Sequence, residues 1–291
     1  MRSATDLSGV ALVAKAAGPT SHDVVDVVRR ALAVARVGHL GTLDPFATGL
    51  LVLVIGRATR LAAFAGEWRK QYSGVIRLGS GTTTDDATGT VVATSDAWRE
   101  LAPTAIAAAL GRFQGTLDQD PPAYSAVHVN GERAYRRARR GERVALPARR
   151  VEVYELRAIR IAPPDVEFRA VVGAGTYLRS LARDIGAALG TPAHLASLRR
   201  ETVGPFRLED ALAPETVTAS VVRDPAPMVS GLVRRDVSEA ERAQVIHGRA
   251  LASAGEVGEN EPVALFAGNE LIAVAVRDRD LLKPRVVVAE R

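Results

Sequence analysis

The 291-residue sequence contains no cysteine. Disulfides, thiolate nucleophiles and cysteine-ligated zinc are therefore excluded within it. Lysine is scarce as well: Lys15, Lys70 and Lys283 are the only three among 38 basic residues, and aromatics make up 4% of the chain. Long apolar runs are missing. The longest aliphatic stretch, Leu50 to Ile55, stops at Gly56-Arg57, far short of the roughly 20 residues a bilayer span needs. The opening MRSATDLSGV carries Asp6 and no extended apolar core, so no secretory signal is expected and the chain reads as cytoplasmic. Phosphate-loop and dinucleotide motifs are absent. The five histidines (His22, His39, His128, His194, His247) form no HxH or HExxH pair, so no metal site is expected.

What is present is an ordinary globular composition, 47% hydrophobic and 24% charged. The length suits about two domains at ~150 residues each. Formal net charge is +5. Arginine dominance suits bidentate contacts to phosphate, and a GC-rich genome would produce it equally. Its distribution says more. Eight arginines against one acid, Glu142, lie between Arg133 and Arg150, whereas Ser230 to Arg291 holds nine basic and ten acidic residues. Beside Tyr124 and Tyr135, the cluster formed by Arg133, Arg136, Arg137, Arg139 and Arg140 reads as a nucleic-acid surface. A solvated helix face is the plainer alternative.

Apolar spacing predicts a strand over Gly9 to Lys15, then a turn that offers Thr20 or Ser21 as cap for a helix carrying Val24, Val25 and Val28. Arg36 to Gly49 is predicted to be a glycine-bearing loop, Leu50 to Ile55 a buried strand, and Tyr72 to Leu78 a half-buried one. Ser80 to Thr90 reads as a long turn, Pro103 to Leu110 as a helix with proline in its first turn, and 118–150 as an excursion from the core. Val151–Ile161 and Val166–Val172 form a predicted strand pair, Tyr177–Leu189 a helix and Leu198–Phe206 a strand. Beyond the proline-bearing stretch at 222–230, a helix near Arg242–Arg249 and short strands at 262–266, 270–276 and 285–288 suggest a small β-rich module. The expected fold class is α+β, with a mixed, mainly antiparallel sheet flanked by helices.

The densest chemistry-bearing segment is Gly38 to Leu51, where Asp44 lies between a glycine-rich turn and Pro45. An Asp-Pro pair is often no more than a turn cap. With no cysteine, and Ser21-His22 the one adjacent serine–histidine pair, a carboxylate is the most economical nucleophile available. The adjacent acids Asp85-Asp86 sit in a turn-like stretch and read as solvated surface.

Six blocks in fixed order then carry a family resemblance: KAAGPTSHDVV (15–25), GHLGTLDPFATGLLVLVIGRATR (38–60), Lys70-Gln71-Tyr72, QDPPAYSA (119–126), GTYLRSLARDIG (175–186) and AHLASLRRETVGPF (193–206). Together they resemble the TruB family of bacterial tRNA pseudouridine-55 synthases. The segments HGRAL, EPVALF, ELIAVAV and LLKPRVV resemble a PUA domain. The division this implies is a catalytic domain over 1–229, with an RNA-gripping insertion near 118–150, and a PUA-like domain over 230–291. One departure is Ala16, where the family usually has proline.

The resemblance implies isomerisation of a flipped-out uridine in the tRNA T-arm without cofactor, metal, guide RNA or obligatory protein partner, by an enzyme expected to be monomeric. Asp44 would be the nucleophile, attacking C1′ or C6, and Arg179 its oriented partner. Tyr72 would stack on the base and assist loss of the C5 proton, while Tyr177 and Leu198 line the uracil pocket. His39 would enter the space the nucleotide vacates, and Lys15 would support the N-terminal side of the site. Two other readings use the same residues: an RNA-binding or tRNA-folding protein without chemistry, and a synthase dependent on a guide RNA. An aspartate-based phosphoryl transferase is more distant, since no second acid near Asp44 is evident for magnesium.

Overall fold

The computed structural model describes residues 7–122, 128–129, 132–133, 147–255 and 257–290. The arginine cluster from Arg133 to Arg140 and Tyr124 therefore lies outside the residues whose side chains are described.

In chain order the strands are β1 (Gly9–Lys15), β2 (Val37–His39), β3 (Thr48–Ile55), β4 (Lys70–Leu78), a hairpin of β5 (Ser80–Thr82) and β6 (Val91–Thr94), and β7 (Gly115–Gln119). A small hairpin of β8 (His128–Val129) and β9 (Glu132–Arg133) follows, then β10 (Arg149–Ala162), β11 (Asp165–Val172), β12 (Ala193–Val203) and β13 (Phe206–Arg207). The main sheet runs β1-β3-β12-β4-β11-β10-β7, with β2 also on β3 and β13 on β12. Every pairing in it is antiparallel except β3 with β12. The last 60 residues build a second sheet, β14 (Val233–Asp236), β15 (Leu251–Ala252), β16 (Pro262–Ala267), β17 (Glu270–Asp278) and β18 (Leu281–Val287), ordered β14-β16-β17-β18-β15. The α+β expectation matches this architecture.

β3 organises the molecule. Its continuous apolar run is buried on both faces, as a strand between two covering layers must be. Side chains alternate across the strand, so Leu51, Leu53 and Ile55 pack on Val24, Val25, Val28 and Leu32 of the Ser21–Leu32 helix. Leu50, Val52 and Val54 face the other way and share a core with Ala264, Phe266, Val274 and Val286 of the second sheet. The C-terminal sheet is thus docked on the main one through a common apolar layer. A third core, under β4, β10, β11 and β12, is capped by the Leu178–Ala188 and Pro103–Gly111 helices.

Along one edge β3 changes partner. Its C-terminal half pairs with β2 (His39 opposite Leu53), and its N-terminal end pairs with β12 (Arg200 opposite Gly49). The segment 41–47 emerges at that split, which is how a loop comes to lie against the middle of a sheet. The Arg36–Gly49 loop expected from sequence accordingly contains the short strand β2, which three residues were too few to signal. The β12 strand starts earlier than expected, at Ala193, because Ala193 and Leu195 pair with Leu78 and Ile76; it ends at Val203, where the chain turns back into β13.

Gly49 holds the split together at φ +105°, and a Cβ there would stand 2.3 Å from the carbonyl oxygen and 2.7 Å from the nitrogen of Arg200. Both strain and collision fall on backbone that cannot move aside. Gly49→Ala is expected to cost at least about 3 kcal/mol, measured by urea denaturation; a cost under 1 kcal/mol would mean the β3–β12 contact is not tight.

Candidate active site

The loop that leaves the split is tied down before it reaches Asp44. Thr20, not Ser21, caps the Ser21–Leu32 helix, its hydroxyl accepting from Asp23 N while the Asp23 carboxylate accepts from Thr20 N. Ser21 is thereby left to turn inward. Its hydroxyl accepts from Leu43 N at 2.8 Å and donates to Leu43 O at 3.0 Å, fixing the residue before Asp44. On the other side Lys15, 2% exposed, donates to the carbonyls of Ala16, Pro19 and Pro45 at 2.8–3.1 Å. The three donors of one ammonium close the turn beyond Asp44.

Asp44 meets Arg179, the second residue of the Leu178–Ala188 helix. Arg179 Nε donates to Asp44 Oδ2 at 2.9 Å and Nη2 to Oδ1 at 3.1 Å, the forked geometry that fixes both carboxylate oxygens. The Arg179 side chain is 5% exposed and that of Asp44 34%, so the aspartate is held from behind and open in front. Arg179 Nη1 also donates to Thr84 O at 3.0 Å. The helix that carries Arg179 is anchored by Gln119, whose carboxamide accepts from Tyr177 N at 2.8 Å and donates to Tyr177 O at 3.1 Å. Ser180 Oγ donates to Asp120 O, which adds a second tie to the same stretch.

The acid pair expected on the solvated surface is drawn inward, Asp86 buried and Asp85 partly so, and this corrects the sequence reading. Asp86 Oδ2 lies 3.7 Å from Arg179 Nε, with its side chain 6% exposed; its Oδ1 accepts from Thr84 Oγ1, Thr88 N and Thr88 Oγ1 at 2.6–2.9 Å. Asp85, at φ +60°, pairs with Arg183 at 3.1 Å, and burial pushes its carboxyl up against the pull of Arg183 and Arg179. The segment is pinned to β12 by Leu195 N to Asp85 O and Ala87 N to Leu195 O. What reads as a turn between threonines is a hairpin folded over the arginines. Asp44, Arg179 and Asp86 thus alternate in charge. Among the described residues no group of three or more His, Asp or Glu is placed to hold a metal ion, and no helix is long and apolar enough to cross a membrane.

Five expected site residues line one cavity of about 270 Å³: Asp44, Tyr72, Tyr177, Arg179 and Leu198. Gly41, Thr42, Lys70 and Arg200 share it. Tyr72 stands on β4 directly opposite Arg200 of β12. Two expected residues lie outside the lining. Lys15 is the buried clamp described above. His39 sits half-buried on β2, its Nδ1 buried without a hydrogen-bond partner, its imidazolium disfavoured by burial and by nearby Arg200 and His22.

Arg200 was not singled out by sequence, although it stands inside one of the quoted blocks. It is wholly buried, donating to Leu50 O at 2.8 Å, Gly41 O at 3.0 Å and Thr42 O at 3.3 Å. Its guanidinium fills the gap in the ladder between β2 and β12 and satisfies carbonyls that neither strand reaches. Lys70 is held near it, its ammonium disfavoured by burial and by Arg200.

Lys15 offers a test of the clamp. Burial, opposed by Asp44, pushes its ammonium down to about 8, whereas an unfolded lysine holds its proton to about pH 10.4. Between those values the unfolded chain binds more protons, so folded stability rises with pH. Relative to Lys15→Met, which does not titrate there, wild type is expected to gain stability as pH goes from 7.5 to 10 in urea titrations. A constant difference would count against a buried ammonium at this position.

Comparison with known proteins agrees along the chain. Residues 29–178 match the model of the TruB family pseudouridylate synthase N-terminal domain, and residues 179–242 match the tRNA pseudouridylate synthase B C-terminal domain. The chain is 42% identical over 290 residues to a tRNA pseudouridine synthase B of Thermobifida fusca, covering 96% of this chain and 98% of that one. It is 44% identical to the one from Mycolicibacterium paratuberculosis, covering 96% and 97%. Among solved structures it resembles a chain of the Cbf5-Nop10-Gar1 complex (TM-score 0.74, 25% identity, 100% of this chain and 88% of that one). It also resembles one of the archaeal box H/ACA sRNP Nop10-Cbf5 complex (TM-score 0.72, 26% identity, 98% and 88%).

Proposed function

The chain belongs to the TruB family, tRNA-modifying isomerases that convert uridine to pseudouridine, and on that premise we propose that its substrate is uridine 55 in the T-loop, handled without a guide RNA. The observation that carries the proposal is the Asp44–Arg179 fork in the wall of a cavity shared with Tyr72. A cavity of about 270 Å³ is at the low end for a small-molecule site. It suits one base lifted from its stack, at a cost of a few kcal/mol.

The reaction breaks N1–C1′, turns the uracil, joins C5 to C1′ and releases the C5 proton. Asp44 is the nucleophile, adding to C1′ or C6 and leaving again when the new bond has formed. Arg179 orients both of its oxygens. Tyr72 stacks on the base and assists the C5 proton's departure, with Tyr177 and Leu198 closing the pocket. His39 fills the place the nucleotide leaves, and Lys15 supports the loop from beneath. Arg133, Arg136, Arg137, Arg139 and Arg140, in an insertion over 118–150 of the 1–229 catalytic domain, grip the T-arm, and residues 230–291 serve as a PUA-like RNA-binding domain. The enzyme works as a cytoplasmic monomer.

The test is tritium release from an unmodified tRNA transcript labelled at uracil C5, with purified protein alone. Stoichiometric release, persisting in chelator and lost when the T-loop uridine is replaced by cytidine, is expected. No release until cellular RNA is added would favour the guide-dependent reading instead. Tight tRNA binding with no release under either condition would leave a binding protein.

A further inference from the structure

A second cavity, of about 510 Å³, lies between the two sheets, and its chemistry is different. The 3-10 helix Gly56–Ala65 starts where β3 ends, and two of its arginines reach to the C-terminal sheet. Arg57 Nη1 donates to Ala289 O at 2.5 Å and Arg60 Nη2 to Arg285 O at 2.8 Å. Arg36 is brought alongside because its carbonyl accepts from Gly56 N at 2.9 Å. His247 and Gly248, just beyond the Glu239–Val245 helix, close the opposite wall. Among the described residues no aspartate or glutamate lines the cleft.

The positive charge there is unbalanced among the described residues. Among the described residues Arg36, Arg57 and Arg60 have no carboxylate within ion-pair distance, whereas Arg234, Arg235 and Arg242 of the C-terminal unit pair with Asp236, Glu241 and Glu270. The excess at the junction of the two sheets therefore comes from the arginines of the main domain and not from the near-neutral C-terminal unit. Arg57 and Arg60 each spend one of five N–H groups on a carbonyl, which positions the guanidinium and leaves donors to face the cleft. Three arginine forks with no acid among them match the oxygens of phosphate.

We propose that this cleft binds the phosphodiester backbone of the tRNA at a second site, separate from the pocket that takes the reacting uridine. β3 links the two. Asp44 lies four residues before its first residue, Thr48, and Arg57 two after its last, Ile55, and eight residues at ~3.3 Å each put the strand's ends roughly 23 Å apart. Backbone held in the cleft therefore belongs to a part of the RNA well away from the flipped base, present in whole tRNA and missing from a short T-arm hairpin. The inference rests on the reading of tRNA as substrate.

The experiment compares wild type with Arg36→Gln and with Arg36→Gln/Arg60→Gln, measuring affinity for whole tRNA and for a T-arm hairpin across a salt series, with turnover of both. Binding is read separately from turnover, so failure of wild type to act on either RNA would fault the functional reading and leave the cleft testable. Expected for the double variant is about tenfold weaker binding of whole tRNA. Its salt slope should be shallower by about 2, with hairpin affinity within twofold of wild type. The single variant is expected to show about half the slope change; among the described residues the Arg36 side chain has no bond whose loss could disturb docking. An unchanged slope for whole tRNA overturns the proposal. So does an equal loss on both RNAs, which would place the effect at the pocket or in the fold.

Discussion

Asp44→Ala is expected to reduce pseudouridine formation by at least about 10⁴-fold while tRNA affinity stays within threefold of wild type. Removing a nucleophile removes the covalent route itself, and losses of that order follow when such a group is deleted from a preorganised site. Affinity should survive because phosphate contacts, spread over a surface larger than one pocket, dominate binding to a polyanion. The structure adds a reason to expect a folded variant: Asp44 is one-third exposed, and the turn around it is held by Ser21 and Lys15 through backbone atoms. Single-turnover assays with saturating enzyme separate the step from binding. Turnover within a hundredfold of wild type would remove Asp44 from the role of nucleophile.

Arg179→Lys is expected to lower the single-turnover rate by about 10²–10³-fold, again with tRNA affinity within threefold. Lysine keeps the charge and loses the fork, so it can no longer fix both Asp44 oxygens and also donate to Thr84 O, as Arg179 does. An error of about 1 Å in a reacting group is worth about 10²-fold. Arg179→Ala should behave differently. It leaves the buried Asp86 carboxylate beside an empty space, and an uncompensated buried charge costs about 3–5 kcal/mol of stability. The pair of variants therefore separates orientation from charge. A lysine variant with wild-type rate would show that the fork is not needed, and an alanine variant of wild-type stability would show that Asp86 is held by Thr84 and Thr88 alone.

Asp44 stood out along the chain because its loop and strand form one short local run, whereas the roles of Arg179, Tyr72, Tyr177 and Leu198 followed from the resemblance of their blocks to a family. The Gly38–Leu51 segment shows both the tight loop with Asp44 and the buried strand behind it, and Gly175–Gly186 shows the helix with Arg179. The alternation in Val166–Val172 and the valine spacing after Thr20 gave their elements nearly to the residue. Asp85-Asp86 failed for a definite reason. Two acids among threonines and glycines have every local mark of a solvated turn, and their burial depends on Arg179 and Arg183, which lie more than 90 residues further on. Arg200 failed in the same way, since its three carbonyl partners belong to β3 and the 41–42 loop about 150 residues earlier.

By itself the sequence determined the kinds of chemistry open to this protein and most of its longer strands and helices, while the residues around Asp44 other than Asp44 itself were pointed to through six blocks that resemble a known family. The chemistry and the longer elements depend on composition and on contacts between near neighbours, which a periodic pattern records directly. Only the tertiary structure decided which charges meet. It set Asp44 and Arg179 together across 135 residues, drew Asp86 in behind them, spent Lys15 on the loop carbonyls, and left the arginines between the two sheets without an acid among the described residues. Whether a charge is paired or bare turns on which distant partners share its burial, because desolvation raises the cost of leaving it alone, and burial is a property of the folded chain.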